Sequence, residues 1–267
     1  MPLLFTSLLA GAASPAPPLP PFAWTDNLLY RFSAAEGVCR DRDGTPAADG
    51  DPVARWINLG AAEDAVQPDP AHRPLWRASG IGGRPAVVCD AGLAQHFADL
   101  AFDQPSGLGT IRPWTVFAVT DGVGQLDLFP ALLGSTAANG GKMGLYFRAE
   151  AGAQIHFVKA QARTGTLANP QLLMCAAGRS AKAGFTTFPG NRLWIRQNRV
   201  GVWEGDSISG NLVSTAIATT QFLRCTGLST DGHFHGRLHE ILMFDGTLDE
   251  ETTFAVEDWL AAAHGLM

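Results

Sequence analysis

The sequence predicts an all-β protein, an antiparallel β-sandwich closed by one C-terminal α-helix. Three observations carry this reading. Short apolar or alternating runs recur between turns through residues 28–244, the spacing of strands in a sandwich. Thirty Gly and seventeen Pro supply the turns. A helical apolar pattern comes last, over residues 249–264.

The chain opens with MPLLFTSLLAGAASPAPPLPP, residues 1–21. It has the apolar run and small residues of a secretion signal but no Lys or Arg near its start. A Pro-rich segment without a core of its own frays unless held. The expectation is a docking arm on a neighbouring subunit or on its own domain, with residues 22–267 forming that domain.

Leu28 to Phe32 reads as a strand, followed by the polar loop CRDRDGTPAADGD. Trp114 to Thr120 is apolar on both faces and predicts a central strand. Met143, Leu145 and Phe147 alternate with Gly144, Tyr146 and Arg148. Ile155 and Phe157 alternate with Gln154 and His156, and Leu172 to Ala177 is a further apolar run. RLWIRQNRVGVWE, residues 192–204, predicts a hairpin turning at Asn198-Arg199, because Asn accepts φ > 0. An unbroken ladder then pairs Gln197 with Val200, Ile195 with Val202, and Trp194 with Trp203. Both tryptophans share one face with Arg196, opposite Leu193, Ile195 and Val202.

Arg237 to Phe244 has no breaker and suits a central strand covered on both sides. Simple alternation groups Leu238, Glu240, Leu242 and Phe244 on one face, and His239, Ile241 and Met243 on the other. Asp245-Gly246 ends the strand. Asp249 is placed to N-cap a helix, with Glu250 and Glu251 facing the positive end of its dipole. Leu248 is placed as a staple, and Phe254, Val256, Trp259, Leu260 and Ala263 form the apolar stripe. Gly265 is a natural terminator.

Two blocks resemble the concanavalin A-like (laminin-G-like) jelly-roll family. The first runs Trp56, Asn58, Gly60, Gln67, Arg73-Pro74 and Gly83-x-Pro85-Ala86. It departs from the family at Cys89-Asp90-Ala91-Gly92, where Phe-Asp-Gly is usual. The second is the closing stretch, with Gly236, Leu238 and Glu240, the segment Leu248 to His264, and Gly265-Leu266. The resemblance implies a jelly roll over Leu28 to Leu266 and a lectin-like or adhesive module. Domains with these motifs are frequent in phage particles and bacterial surface proteins.

The net charge of −6 argues against a general nucleic-acid binder, which needs a basic stripe. No run reaches the roughly 18 apolar residues of a membrane span. Cys39, Cys89, Cys175 and Cys225 lie far apart, most of them among apolar residues. Free buried thiols are expected, with one or two disulfides as the other reading.

Catalytic signals are weak. Gly205-Asp206-Ser207-Ile208 resembles the nucleophile block of GDSL hydrolases, but Asp231-x-His233 is one residue short of that family's Asp-x-x-His. A polar turn is expected there. His233, His235 and His239 share parity beside Asp231, yet Gly236 interrupts the strand, so separate hydrogen-bonded histidines are expected rather than a metal site. Asp121 and Asp127 flank DGVGQLD, whose spacing suits a solvated turn better than calcium. A paired-carboxylate glycosidase finds only Glu150 and Glu204, at strand ends. No catalytic residue, metal or cofactor is therefore expected.

The candidate carbohydrate-binding residues are Trp194, Arg196, Trp203, Tyr146 and Arg148. Flat aromatic faces pack on sugar rings, and Arg bonds hydroxyls or acidic groups. The competing reading is that the closing helix or the arm covers the tryptophan face. The function expected is a non-catalytic virion protein, a head-decoration, tail or fibre component. Its partners would be other virion subunits through residues 1–21 and host surface polysaccharide, in a homo-oligomeric assembly on the virion surface. An extracellular or bacterial-surface location is the alternative. A glycan-active enzyme of the same fold and a purely architectural subunit are the other functions considered.

Overall fold

The structure, a computed structural model, describes residues 27–101, 114–122, 131–135, 143–148, 152–157, 160–163, 171–179, 192–206, 220–225 and 232–266. The arm expected over residues 1–21 lies outside them, as do Ser207, Asp127, Glu150 and Asp231. The strands before residue 100 are β1 (Leu28–Ser33), β2 (Val38–Cys39), β3 (Arg55–Trp56), β4 (Ala65–Val66), β5 (Leu75–Arg77) and β6 (Ala86–Cys89). Next come β7 (Trp114–Asp121), β8 (Ala131–Ser135), β9 (Met143–Arg148), β10 (Gly152–Phe157), β11 (Ala160–Arg163) and β12 (Gln171–Arg179). The last are β13 (Arg192–Gln197), β14 (Val200–Asp206), β15 (Thr220–Phe222), β16 (Arg224–Cys225), β17 (Gly232–His233) and β18 (Gly236–Asp245), then helix α1 (Glu250–His264).

All described pairings are antiparallel. The large sheet runs β14-β13-β12-β7-β18-β6-β5, with β1 also on β18. The small sheet runs β11-β10-β9-β8-β15. The fold is thus the expected antiparallel sandwich of jelly-roll type with a C-terminal helix. Strand β18 is its centre. One edge pairs with β7 along the strand, while the other pairs first with β6 through Gly236–Leu238 and then with β1 through Glu240–Phe244.

Two apolar layers explain why β7 and β18 are apolar on both faces. Between the sheets, Val116, Ala118, Leu173, Cys175, Ile195, Ile241 and Met243 meet Leu132, Leu133, Leu145 and Phe222. Phe32, Trp56 and Phe97 extend this core, with Phe32 and Phe222 stacked at 5.3 Å. On the other face of the large sheet, Phe117, Val119, Leu172, Met174, Leu242 and Phe244 pack beneath Val256, Trp259 and Leu260 of α1. Burial of each such helix side chain is worth about 1.5–3 kcal/mol.

The helix has the caps expected. Asp249 Oδ1 accepts from Thr252 N at 2.7 Å, Leu248 packs on the outer core, and Gly265 terminates the helix at φ 67°.

The expected alternation in β18 needs correction. His239 is an extra residue in the ladder: Leu238 pairs with Thr120, and the next pair is Glu240 with Val119. This β-bulge switches parity. Leu238 therefore joins Ile241 and Met243 in the inner core, apart from Leu242 and Phe244. His239 and Glu240 both reach the end of α1, where Glu240 Oε2 meets His264 Nε2 at 2.8 Å and the His239 and His264 rings are 6.0 Å apart.

The family-like residues of the first block serve the backbone. Trp56 Nε1 donates to Ser33 O, and Asn58 bonds Arg31 N, Gly60 N, Leu29 O and Ala62 O. A Cβ on Gly60 would stand 2.5 Å from Leu29 O, so no side chain fits there. Gln67 ties the loop of residues 67–73 to His96 O.

Candidate functional site

The β13–β14 hairpin turns at Asn198 and Arg199, at φ 48° and 68°, and Gln197 pairs with Val200 as expected. Asn198 suits the turn twice over. It tolerates positive φ, and its Oδ1 accepts from Leu172 N at 2.8 Å. Beyond the first pair the expected register fails. Arg196 pairs with Gly201, Ile195 with Trp203, and Trp194 with Glu204. Val202 is the extra residue of a bulge, so the tryptophans are not cross-strand partners.

Helix α1 covers Trp194 and Arg196. The Trp194 side belongs to the outer core, and the residue is 5% exposed. Its ring meets Phe254 edge-on at 6.4 Å. The Arg196 guanidinium lies 4.5 Å from the Phe254 centroid and 5.3 Å from that of Trp194. Arg196 Nε donates to both oxygens of Glu257, at 3.0 and 2.9 Å. Burial raises the Glu257 pKa, and the bonds from Arg196 oppose that rise. Arg199 also forms an ion pair with Asp258. Trp194 and Arg196, expected as two members of a binding shelf, are thus held in a helix-to-hairpin clamp, while the Trp203 side chain lies outside what the structure describes.

Tyr146 and Arg148 lie elsewhere, on the middle strand of the small sheet. Leu145 is buried in the inner core, so Gly144, Tyr146 and Arg148 hold the alternate positions of β9, on the opposite face of the strand. Register extends that face across two further strands. Tyr146 pairs with Gln154, and Gln154 with Arg163. Gly144 pairs with His156, and His156 with Gln161. Toward β15 the sheet is closed, since Ala131, Gly134 and Gln221 are buried. None of the five strands contains Asp or Glu.

Arg163 and Gln161 were not singled out from the sequence. The signal was available in the alternation of Gln154 and His156, which required a partner strand at 160–163 to complete it.

The three histidines are separated, as the break at Gly236 implies. His239 is buried, with Nδ1 donating to Pro85 O at 2.8 Å. His235 Nδ1 lies 3.6 Å from Asp90 Oδ1. His233 joins a row that the sequence did not reveal. Its ring is 5.5 Å from His96, which is 5.3 Å from His72. Arg224 bridges His96 Nε2 at 2.9 Å and Asp99 Oδ1 at 2.7 Å.

Among the described residues no group of three metal-ligating side chains converges. Asp121 is engaged by Arg237. Cys39, Cys89 and Cys175 are free and buried, and burial raises each thiol pKa.

No protein-family model matches the chain, and no curated protein does. Similar solved structures include domain 4 of AbnA, a GH43 extracellular arabinanase from Geobacillus stearothermophilus, in complex with arabinotriose. It is 12% identical over 89% of this chain and 98% of that one, with a TM-score of 0.49. The CBM40 of the Ruminococcus gnavus IT-sialidase, bound to α2,6 sialyllactose, is 9% identical over 61% of this chain and 95% of that one, with a TM-score of 0.43. A mutant of NanB sialidase from Streptococcus pneumoniae is 11% identical over 56% of this chain, with a TM-score of 0.40; the match spans 24% of that chain. These are distant likenesses of backbone alone.

Proposed function

We propose that the chain is a non-catalytic carbohydrate-binding domain whose binding surface is the outer face of β9, β10 and β11. The observation that carries this is the cross-strand row Tyr146–Gln154–Arg163, with Arg148 two residues along from Tyr146. An aromatic platform beside amide and guanidinium donors is the chemistry that holds a sugar ring. The absence of Asp and Glu from the five strands leaves no carboxylate pair on them for glycoside hydrolysis. The corresponding face of the large sheet is occupied by α1.

In its finer form the proposal places this domain on a virion surface as an adhesion protein, attached through residues 1–21. Its support is the Pro-rich composition of that segment and the family resemblance. Deleting residues 1–21 should leave a folded domain that no longer enters the particle.

The binding reading is tested by retention on immobilised polysaccharides, with Tyr146→Ala and Gln154→Ala beside the parent. Loss of retention with an unchanged melting temperature is expected, with no reducing ends released from any substrate. Undiminished retention by both variants would place the binding surface elsewhere.

A further inference from the structure

The proposed surface has a charge that the chain as a whole does not. The protein carries 25 Asp and Glu against 19 Lys and Arg. The strands of the small sheet reverse this: they contain Arg148, Arg163 and His156, and neither Asp nor Glu. A patch of one sign within a protein of the other sign selects ligands by charge and steers their approach.

Register gives the charges a spacing. Neighbouring strands lie about 4.8 Å apart, so the row from Tyr146 through Gln154 to Arg163 covers about 10 Å. Arg148 is two residues from Tyr146 along the same strand, about 7 Å away. The aromatic position is therefore bracketed by a guanidinium position along the strand and another across it. Two Arg at such a site differ from two Lys, because the planar fork of each matches a carboxylate with paired hydrogen bonds.

We propose, resting on the carbohydrate-binding reading above, that the ligand is an acidic polysaccharide bearing sugar carboxylates. Its ring occupies the Tyr146 position and its carboxylates lie toward Arg148 and Arg163. The remaining outer positions, Gln154, His156 and Gln161, are neutral or cationic and add no repulsion.

The experiment uses the full chain and two acidic polymers, polygalacturonate and polysialic acid. Each is compared with its carboxyl-reduced form, which keeps the linkage and removes the charge. Binding of at least one acid form is expected, with its reduced form bound at least about tenfold more weakly. Arg148→Gln and Arg163→Gln should each weaken acid-form binding about tenfold to a hundredfold, the range for a lost hydrogen bond to a charged group. Raising the salt should shrink the difference between acid and reduced forms. Melting temperatures verify that the variants are folded. Equal binding of acid and reduced forms, abolished by Tyr146→Ala but not by the Arg variants, overturns the acidic-ligand inference and leaves carbohydrate binding standing. Failure of the folded parent to bind either acid polymer, while it is retained on an immobilised neutral polysaccharide, overturns the acidic-ligand inference alone; failure on every polysaccharide overturns both.

Discussion

His264, in the last turn of α1, donates from Nε2 to Glu240 Oε2 at 2.8 Å, and so pins the helix end to the bulge in β18. The other Glu240 oxygen accepts from Arg31 Nε at 2.8 Å, and the Arg31 guanidinium lies 5.2 Å from the Trp259 ring centroid. Strands β1 and β18 and helix α1 thus meet at one carboxylate, which is 1% exposed. Removing one partner of a buried pair leaves the other without compensation. Glu240→Ala should cost about 3–5 kcal/mol, read as a shift in denaturation midpoint. A cost below 1 kcal/mol would show that this junction is incidental.

The covered tryptophan makes a different prediction from an exposed one. Trp194→Ala should cost about 3–5 kcal/mol, as aromatic truncations in cores do. Its folded fraction should bind polysaccharide as the parent does. Nearly unchanged stability would mean that α1 does not rest on this face in solution.

A third prediction follows from Gly60. Its missing Cβ would meet Leu29 O at 2.5 Å and the Leu29 carbonyl carbon at 2.8 Å. These are backbone atoms and cannot rotate away. Gly60→Ala should cost about 1–3 kcal/mol, as overpacking does. Calorimetry that finds the variant as stable as the parent would refute this close approach.

The histidine row predicts a pH dependence. Arg224 can only donate, so His96 Nε2 accepts from it while Nδ1 donates to Ala94 O at 2.7 Å. Burial, aided by Arg224, holds the His96 pKa below its ordinary 6.5, against the opposing bond to Ala94. Above pH 6.5 this residue is neutral folded or unfolded, and its contribution is complete. As pH falls below 6.5 the unfolded chain takes up a proton that the folded one resists, so stability declines until the lower folded value is passed. Urea midpoints at pH 7.5 and 5.5 should differ more for the parent than for His96→Gln. An equal difference in both proteins would exclude this source.

What the sequence made legible was local or periodic. Asp249, Leu248 and Gly265 define α1 within one turn of each end, so the helix could be placed to a residue. The double-sided apolar runs of β7 and β18 identified the central strands. What failed was parity across bulges. His239 and Val202 each add one residue to a ladder, and nothing in their own neighbourhoods marks them. The choice is made by partner strands far away in the chain. The same limit separated Trp203 from Trp194 and kept Arg163 from joining Tyr146 until the register was known. The family-like residues Trp56, Asn58 and Gly60 located the fold because they bond its backbone, and for that reason they were silent about a ligand.

The place of β18 in the sheet fixes the order in which the protein can be made. Its partners β1, β6 and β7 are synthesised long before it, and Arg31 and Glu240 are 209 positions apart. Until β18 leaves the ribosome, the large sheet lacks its middle, and β1 and β6 have no common neighbour to join. Contacts at such separation slow folding and leave strand edges exposed meanwhile. The nascent chain therefore waits, unfinished at its centre, until β18 has been made, and a chaperone that shields apolar strands should raise its soluble yield more than slower translation does.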